Sequence, residues 1–338
     1  MPADPAVSES RKRNNFSCIQ HSAMREPNFF IVGAPKAGTT SLYHYLDQHP
    51  DIYMSPMKEP CHFSYEVRPE NFEPSLRGRA IQLEKDVREY LRGPMDRKFS
   101  GGIVAEWSDY LRLFAAATTQ QAVGEASVNY LMSRSAPGAI ASRIPHARII
   151  MVLRSPVERA FSQYLHFVSD GLVTQPFRDY VRTSLRHGGK GLGIHEPFLE
   201  MGFYAEQVQR YLEHFPREQI GIWLYEKAKS RPREFMREVL EFLEVDSTFT
   251  PDTSMRYNQP RIARMVKPSQ VLRRLGLWKM FRRLTPAPIK SFVRNAVYRP
   301  TGSVTMEAAD RRLMLDFYRG DIHRLEGILN RDLGTWLV

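Results

Sequence analysis

The octapeptide Gly33-Ala34-Pro35-Lys36-Ala37-Gly38-Thr39-Thr40 brings two glycines, a lysine and two hydroxyl side chains together, directly after the apolar run Phe29-Phe30-Ile31-Val32. A glycine loop that leaves a buried strand and opens a helix presents backbone N–H groups and the positive end of the helix dipole to one point in space. That is a seat for a phosphate-like anion. Against the ATP-binding pattern G-x-x-x-x-G-K-[ST], both glycines and the final Thr40 are present, but Thr39 occupies the lysine position and the lysine sits earlier, at Lys36. The displacement points to a ligand that carries a different group beyond its first phosphate, with a leaving oxygen that a loop lysine reaches from the side.

The elements that must hold such a loop are legible around it. Residues 29–32 read as a fully buried strand, and Leu42, Tyr45 and Leu46 give the following segment helical spacing. Further continuous apolar runs occur at Ala122 to Ser127, Arg148 to Leu153 and Ile220 to Tyr225. The second of these leads through Arg154-Ser155-Pro156 into a helix, with proline at a tolerated early position. Gly202 to Phe215, Arg233 to Leu243 and Arg311 to Trp336 have amphipathic helical spacing. Continuous strands alternating with helices predict an α/β fold, a parallel sheet flanked by helices on both faces, with no second sheet. The glycine-rich stretch His187 to His195 reads as a loop between helices.

With 338 residues the chain is long enough for a sizeable core, and 42% hydrophobic against 25% charged residues is an ordinary globular balance. Residues 1–26 predict a flexible polar tail and 27–338 a single domain. Apolar runs of five or six residues are far short of the ~20 that cross a bilayer, and the N-terminus shows no secretory core, so a cytoplasmic protein is expected. Two cysteines, Cys18 and Cys61, exclude a disulfide framework and a four-cysteine zinc site, and no metal is expected.

The net charge of +11 is local: residues 256–299 hold twelve basic and no acidic side chains, so the rest of the chain is nearly neutral. This segment predicts a basic, mainly helical region. Its amphipathic part, Val271 to Leu284, has two readings: a solvated helix face, or peripheral contact with an anionic membrane or a lipidic acceptor. No nucleic-acid-binding module is recognisable, and nucleic acid is not expected as a partner.

The segment Pro35-Lys36-Ala37-Gly38-Thr39-Thr40-Ser41-Leu42 resembles the 5′-phosphosulfate loop of sulfotransferases, which take a sulfuryl group from 3′-phosphoadenosine 5′-phosphosulfate (PAPS). Arg154-Ser155-Pro156-Val157-Glu158-Arg159-Ala160-Phe161-Ser162 is similar to the family's second signature, an arginine after an apolar strand and a serine eight residues later. The resemblance implies a P-loop-NTPase-like fold, a 5′-phosphosulfate seat at Pro35, Lys36, Ala37, Gly38, Thr39, Thr40 and Ser41, and a 3′-phosphate held by Arg154 and Ser162. Lys58-Glu59-Pro60-Cys61-His62-Phe63 resembles the Lys-Glu-Pro-x-x-Phe segment of the carbohydrate, heparan sulfate and bacterial branches, which implies that Glu59 is the general base. His166 matches a histidine that N-sulfotransferases place near the acceptor, with a packing or surface histidine as the alternative reading. Arg261 stands where family members carry a basic loop over the cofactor's 3′ side, which implies a role in holding the cofactor. In Gly124-Glu125-Ala126-Ser127, alanine occupies the position where several members have a substrate-contacting lysine, a departure that argues against a glycosaminoglycan-like acceptor.

The function so implied is transfer of a sulfuryl group from PAPS to an acceptor hydroxyl of a carbohydrate, lipid or small metabolite, catalysed through Lys36, Glu59 and His166. Two alternatives compete with it: a P-loop kinase or NTPase, and a non-catalytic polyanion-binding module on a degenerate fold of this family.

Overall fold

The structure is a computed structural model that describes residues 25–71, 74–170, 172–186, 198–255, 261–263, 298–300 and 305–338. Its centre is a five-stranded, all-parallel sheet. The strands are β1 (Phe29–Gly33), β2 (Ile52–Met54), β5 (Ala122–Ala126), β6 (Arg148–Leu153) and β7 (Ile220–Leu224), in the order β2-β5-β1-β6-β7. Every residue of β1 and β5 is buried. Side chains alternate between faces along a strand, so both faces of these strands are covered.

The chain leaves β1 toward β5 on one side and returns to β6 on the other. The C-terminal end of β1 is therefore the switch point of the sheet, where ligands of open α/β folds bind. The loop 34–38 stands at this point and leads into α1 (Thr39–Leu46). Ala34 N–H donates to the Val152 carbonyl at 2.8 Å, and Ser127 and Leu131 N–H donate to Ile31 and Val32 carbonyls at 3.1 and 2.8 Å. The ends of β1, β5 and β6 are thereby fastened to one another.

Among the described residues, two small sheets add to the one the sequence predicts. A parallel pair, β3 (Met57–Lys58) and β4 (Phe99–Ser100), lies beyond β2, and an antiparallel pair, β8 (Arg261–Ala263) and β9 (Tyr298–Pro300), lies near the C-terminus. The expectation of no second sheet is thus corrected: strands of two or three residues are too short to show a period in sequence. The long helix α2 (Pro74–Arg92) connects the members of the first pair, and α3 (Trp107–Arg112) and α4 (Ala136–Arg143) flank β5.

The helix α5 (Pro156–Ser169) follows β6, and α6 (Phe177–Arg186) and α7 (Tyr204–Leu212) follow it. After β7 come α8 (Tyr225–Ser230) and α9 (Pro232–Phe242), and the chain closes with α10 (Ala308–Leu329) and a 3₁₀ turn at Gly334–Trp336. The closing helix buries Met314, Leu315, Tyr318, Ile322 and Leu325, and Trp336 packs into the same core. Roughly 1.5–3 kcal/mol for each such buried side chain holds α10 against α7 and α5. Among the described residues, no helix is long and apolar enough to cross a membrane. The predicted glycine-rich loop 187–195, the tail up to residue 24 and the amphipathic stretch 271–284 lie outside the described residues.

Candidate active site

The loop after β1 is shaped by two left-handed residues, Lys36 (φ 67°) and Gly38 (φ 83°). Glycine is required at the second, both for its φ and because a Cβ there would lie 3.1 Å from the Tyr225 ring. The Gly38 carbonyl accepts the Leu42 N–H at 3.1 Å, which begins α1 without a side-chain cap. Thr39 is buried at the first helical position, followed by Thr40 and Ser41.

Lys36 is the centre of a cationic group. Burial lowers its ammonium from 10.5 to about 8; Asp170 opposes that shift, while the charges of Arg154, Arg159 and Lys58 add to it. Four cations from three separate stretches thus act on one another here, where each makes the others costlier unless an anion arrives.

Arg154, at the end of β6, donates to the Lys36 carbonyl at 3.0 Å, so its guanidinium touches the loop directly. It also lies 4.8 Å from the Tyr225 ring centroid and pairs with Glu158 at 3.7 Å. Glu158 in turn pairs with Arg311 of α10, which ties the closing helix to the site. Ser162 is buried two turns into α5. One turn beyond it, His166 is half exposed, with Nε2 3.9 Å from Asp170 Oδ2. The backbone of Arg261 lies in β8, which runs against α5.

Arg159 is wholly buried on α5, donating from Nη1 to Gln163 Oε1 at 3.0 Å and from Nη2 to the Phe198 carbonyl. A guanidinium with neutral acceptors keeps its full charge available to the neighbouring loop.

The opposite side of the site carries carboxylates. Glu59 adopts φ 67°, and its N–H donates to the Ala126 carbonyl at 2.8 Å, which sets it at the C-terminal end of β5. Its Oε2 accepts the Val128 N–H at 2.8 Å and its Oε1 pairs with Lys58 Nζ. Glu125, buried within β5, accepts hydroxyl hydrogens from Tyr110 (3.0 Å), Ser127 (2.7 Å) and Tyr130 (2.7 Å). Burial raises its carboxyl from 4.5 to about 7, against the three hydroxyl bonds that lower it. Ser127 Oγ also accepts the Cys61 N–H at 3.1 Å, which links Glu125 to the loop after Glu59. Burial pushes the Cys61 thiol up, so it stays protonated. Among the described residues, no group of three or more His, Cys, Asp or Glu is arranged to hold a metal ion.

Of the predicted residues, Lys36 and Arg154 meet directly and Glu59 faces them through Lys58; Ser162 and His166 follow along α5. Sequence reasoning missed Lys58, Arg159, Asp170 and Tyr225. The first two sit inside the quoted motifs, and Tyr225 ends the fourth apolar run, but only the fold shows that they converge.

A family model described as "Sulfotransferase family" matches residues 27–251. The Homo sapiens bifunctional heparan sulfate N-deacetylase/N-sulfotransferase 3 is 30% identical over 226 residues, which are 65% of this chain and 22% of that protein. Carbohydrate sulfotransferase 15 of Homo sapiens is 26% identical over 255 residues, 64% of this chain and 43% of that protein. The chain therefore spans less than half the length of these curated relatives. The crystal structure of a sulfotransferase from Alicyclobacillus acidocaldarius superposes with a TM-score of 0.68 at 32% identity, covering 92% of this chain and 99% of that one.

Proposed function

Because the chain belongs to the sulfotransferase family, we propose that it transfers a sulfuryl group from PAPS to an acceptor hydroxyl and releases 3′-phosphoadenosine 5′-phosphate (PAP). The observation that carries this reading is the convergence of Lys36, Arg154, Arg159 and Lys58 at the switch point, with Lys36 held below its ordinary value by burial. Such a group of cations favours a multiply charged anion, and a nucleotide with anionic groups at both its 5′ and 3′ ends fits it.

The loop Pro35–Ser41 would hold the 5′ end, through its N–H groups, the hydroxyls of Thr39, Thr40 and Ser41, and Lys36. Arg154 and Ser162 would hold the 3′-phosphate, with Arg261 as a further candidate on that side. When bound, PAPS supplies an electrophilic sulfur and a phosphate leaving group, so the protein's task is placement and charge. Lys36 keeps positive charge beside the departing oxygen, as preorganised cations do in phosphoryl transfer. Tyr225 and Glu158 aim Arg154. Glu59, fixed by its own N–H and by Val128 N–H, takes the proton of the acceptor hydroxyl. His166, half exposed on α5, would serve the acceptor, as its match to the N-sulfotransferase histidine implies.

The acceptor class we favour is a small-molecule or carbohydrate hydroxyl, because the similar curated proteins carry heparan sulfate and carbohydrate in their names. Ala126 brings no charge to the end of β5, which disfavours a polyanionic chain. The test is transfer of label from radioactive PAPS to a panel of carbohydrate, lipid and small-metabolite hydroxyls, beside calorimetry with PAP and with the same nucleotide lacking its 3′-phosphate. Transfer to one class and a preference for PAP are expected. No transfer to any acceptor, with equal affinity for the two nucleotides, would overturn the reading.

A further inference from the structure

Lys58 has so far counted only as one of the converging cations, yet it is the buried cation that pairs with the base. Its residue is 8% exposed, its backbone is held in β3, and its carbonyl accepts the Gly101 N–H at 2.9 Å. The backbone of Glu59 is equally fixed, by the bond to Ala126. The lysine side chain is the longer and freer of the two: four methylenes ending in a compact charge, without the fixed fork of an arginine.

The ammonium sits between two claimants. On one side it pairs with Glu59 Oε1; on the other its charge acts on Lys36 of the anion-binding loop and on His44 of α1. Because Val128 N–H holds Oε2, the Lys58 pair leaves both oxygens of Glu59 occupied. A carboxylate in that state keeps lone pairs for a further hydrogen bond, as Glu125 Oε1 does with two hydroxyls, but the ammonium in contact with it weakens its power to take a proton. Conversely, an anion beside Lys36 brings negative charge within reach of Lys58, and a buried ammonium goes to the stronger field.

We propose that Lys58 is a positioning residue: it holds Glu59 while the donor site is empty and passes its charge to the sulfuryl-bearing end of the donor on loading, so that the base is freed only in the loaded enzyme. The inference rests on the sulfotransferase reading. It also supplies a reason for the adjacency of lysine and glutamate, since premature proton uptake at an unloaded site is suppressed by the same cation that later receives the donor. The other charged or titratable groups facing this pair are Lys36 from the loop, His44 from α1, Glu125 from β5 and Cys61 from the following turn. None of them changes in the variants below.

The experiment compares wild type, Lys58→Met and Lys58→Arg in pH profiles of kcat and of kcat/KM for PAPS. The first profile reports the loaded enzyme and the second the free enzyme. In Lys58→Met the acid limb of kcat/KM for PAPS is expected to move to higher pH, while the acid limb of kcat stays in place. Lys58→Met should also lose at least tenfold more affinity for PAPS than for PAP, which lacks the sulfuryl group. Lys58→Arg keeps the charge and the burial but grips the carboxylate with two N–H groups, so its kcat should fall at least tenfold with the kcat/KM limb unmoved. Equal movement of both limbs in Lys58→Met would show a static counter-ion and overturn the transfer of charge. Movement of neither limb, or a wild-type kcat in Lys58→Arg, would show a packing role and overturn it as well. Failure of the wild type to transfer from PAPS at all overturns the family reading instead, so the two failures are distinct.

Discussion

The two edges of the site treat charge in opposite ways. Along the ends of β1 and β6, Lys36, Arg154 and Arg159 crowd together under partial or complete burial, and the balance left over is positive. Along the ends of β3 and β5, each carboxylate is matched: Glu59 by Lys58 and Val128 N–H, Glu125 by three hydroxyls. The first edge is incomplete without a ligand and the second is complete in itself. A binding site is recognised by such unbalanced charge, whereas a matched buried acid serves architecture unless something displaces its partner.

The largest effect separates the two carboxylates. Glu59→Gln keeps the shape and removes the base, so kcat should fall by ~10²–10⁴-fold with little change in PAP affinity. Glu125→Gln should leave kcat near that of the wild type, because its hydroxyl ring turns it away from the reaction. A near-normal Glu59→Gln beside an inactive Glu125→Gln would reverse the roles.

Glu125 has its own signature, in stability. Its folded value, about 7, lies above its ordinary 4.5, so the folded protein holds this proton more tightly. The contribution is fully present below pH 4.5 and is lost as the pH rises through about 7. At 1.36 kcal/mol per pH unit this amounts to roughly 3 kcal/mol, a buried group needing no correction for solvent screening. Urea unfolding at pH 5 and pH 8 should therefore show wild type losing stability relative to Glu125→Gln, which carries no titrating group there. Parallel curves for the two proteins would mean that the hydroxyl ring already offsets the burial.

On the cationic edge, Arg154→Ala should weaken PAP binding by roughly 1.5–3 kcal/mol, the worth of charge-assisted hydrogen bonds. The loss should vanish for the nucleotide lacking its 3′-phosphate. A uniform loss for both nucleotides in calorimetry would place Arg154 on the 5′ side, where its bond to the Lys36 carbonyl already reaches.

The same division decides what could be read from sequence. The loop 33–40 was legible because its chemistry is local: strand, glycines, lysine and helix are consecutive, and the structure places them as consecutive sequence demands. The parallel sheet followed from apolar runs at 29–32, 122–127, 148–153 and 220–225, all of which are strands within a residue or two. β2 escaped because three residues make no period, and α2 because most of its turns are exposed, which leaves few apolar positions to repeat. In the site, Glu59 and Arg154 were visible as motif residues. The aim of Arg154 was not, because Tyr225 and Arg311 arrive from distant points of the chain. The state of Glu125 was hidden too: whether a strand glutamate is solvated or ringed by Tyr110 and Tyr130 depends on α3 and on the turn after β5.

Lys36 gives the mildest and sharpest contrast with Glu125, since its proton moves in a different pH window. An anion seated beside the loop favours the ammonium, but the free site holds that ammonium at about 8 rather than 10.5. Below pH 8 the lysine is already charged and PAP should bind without proton exchange. Between about pH 8 and 10, binding must draw a proton from solvent, and PAP affinity should fall by up to tenfold per pH unit. Calorimetry at pH 9 in two buffers of different ionisation enthalpy measures that uptake directly. Lys36→Arg, charged throughout this range, should bind with no proton uptake and with an affinity that stays flat to pH 9.5. Proton-neutral binding by the wild type at pH 9 would mean that Asp170, which faces Lys36, keeps the ammonium charged in the empty site. The cationic edge would then be matched before the ligand arrives, as the carboxylate edge is.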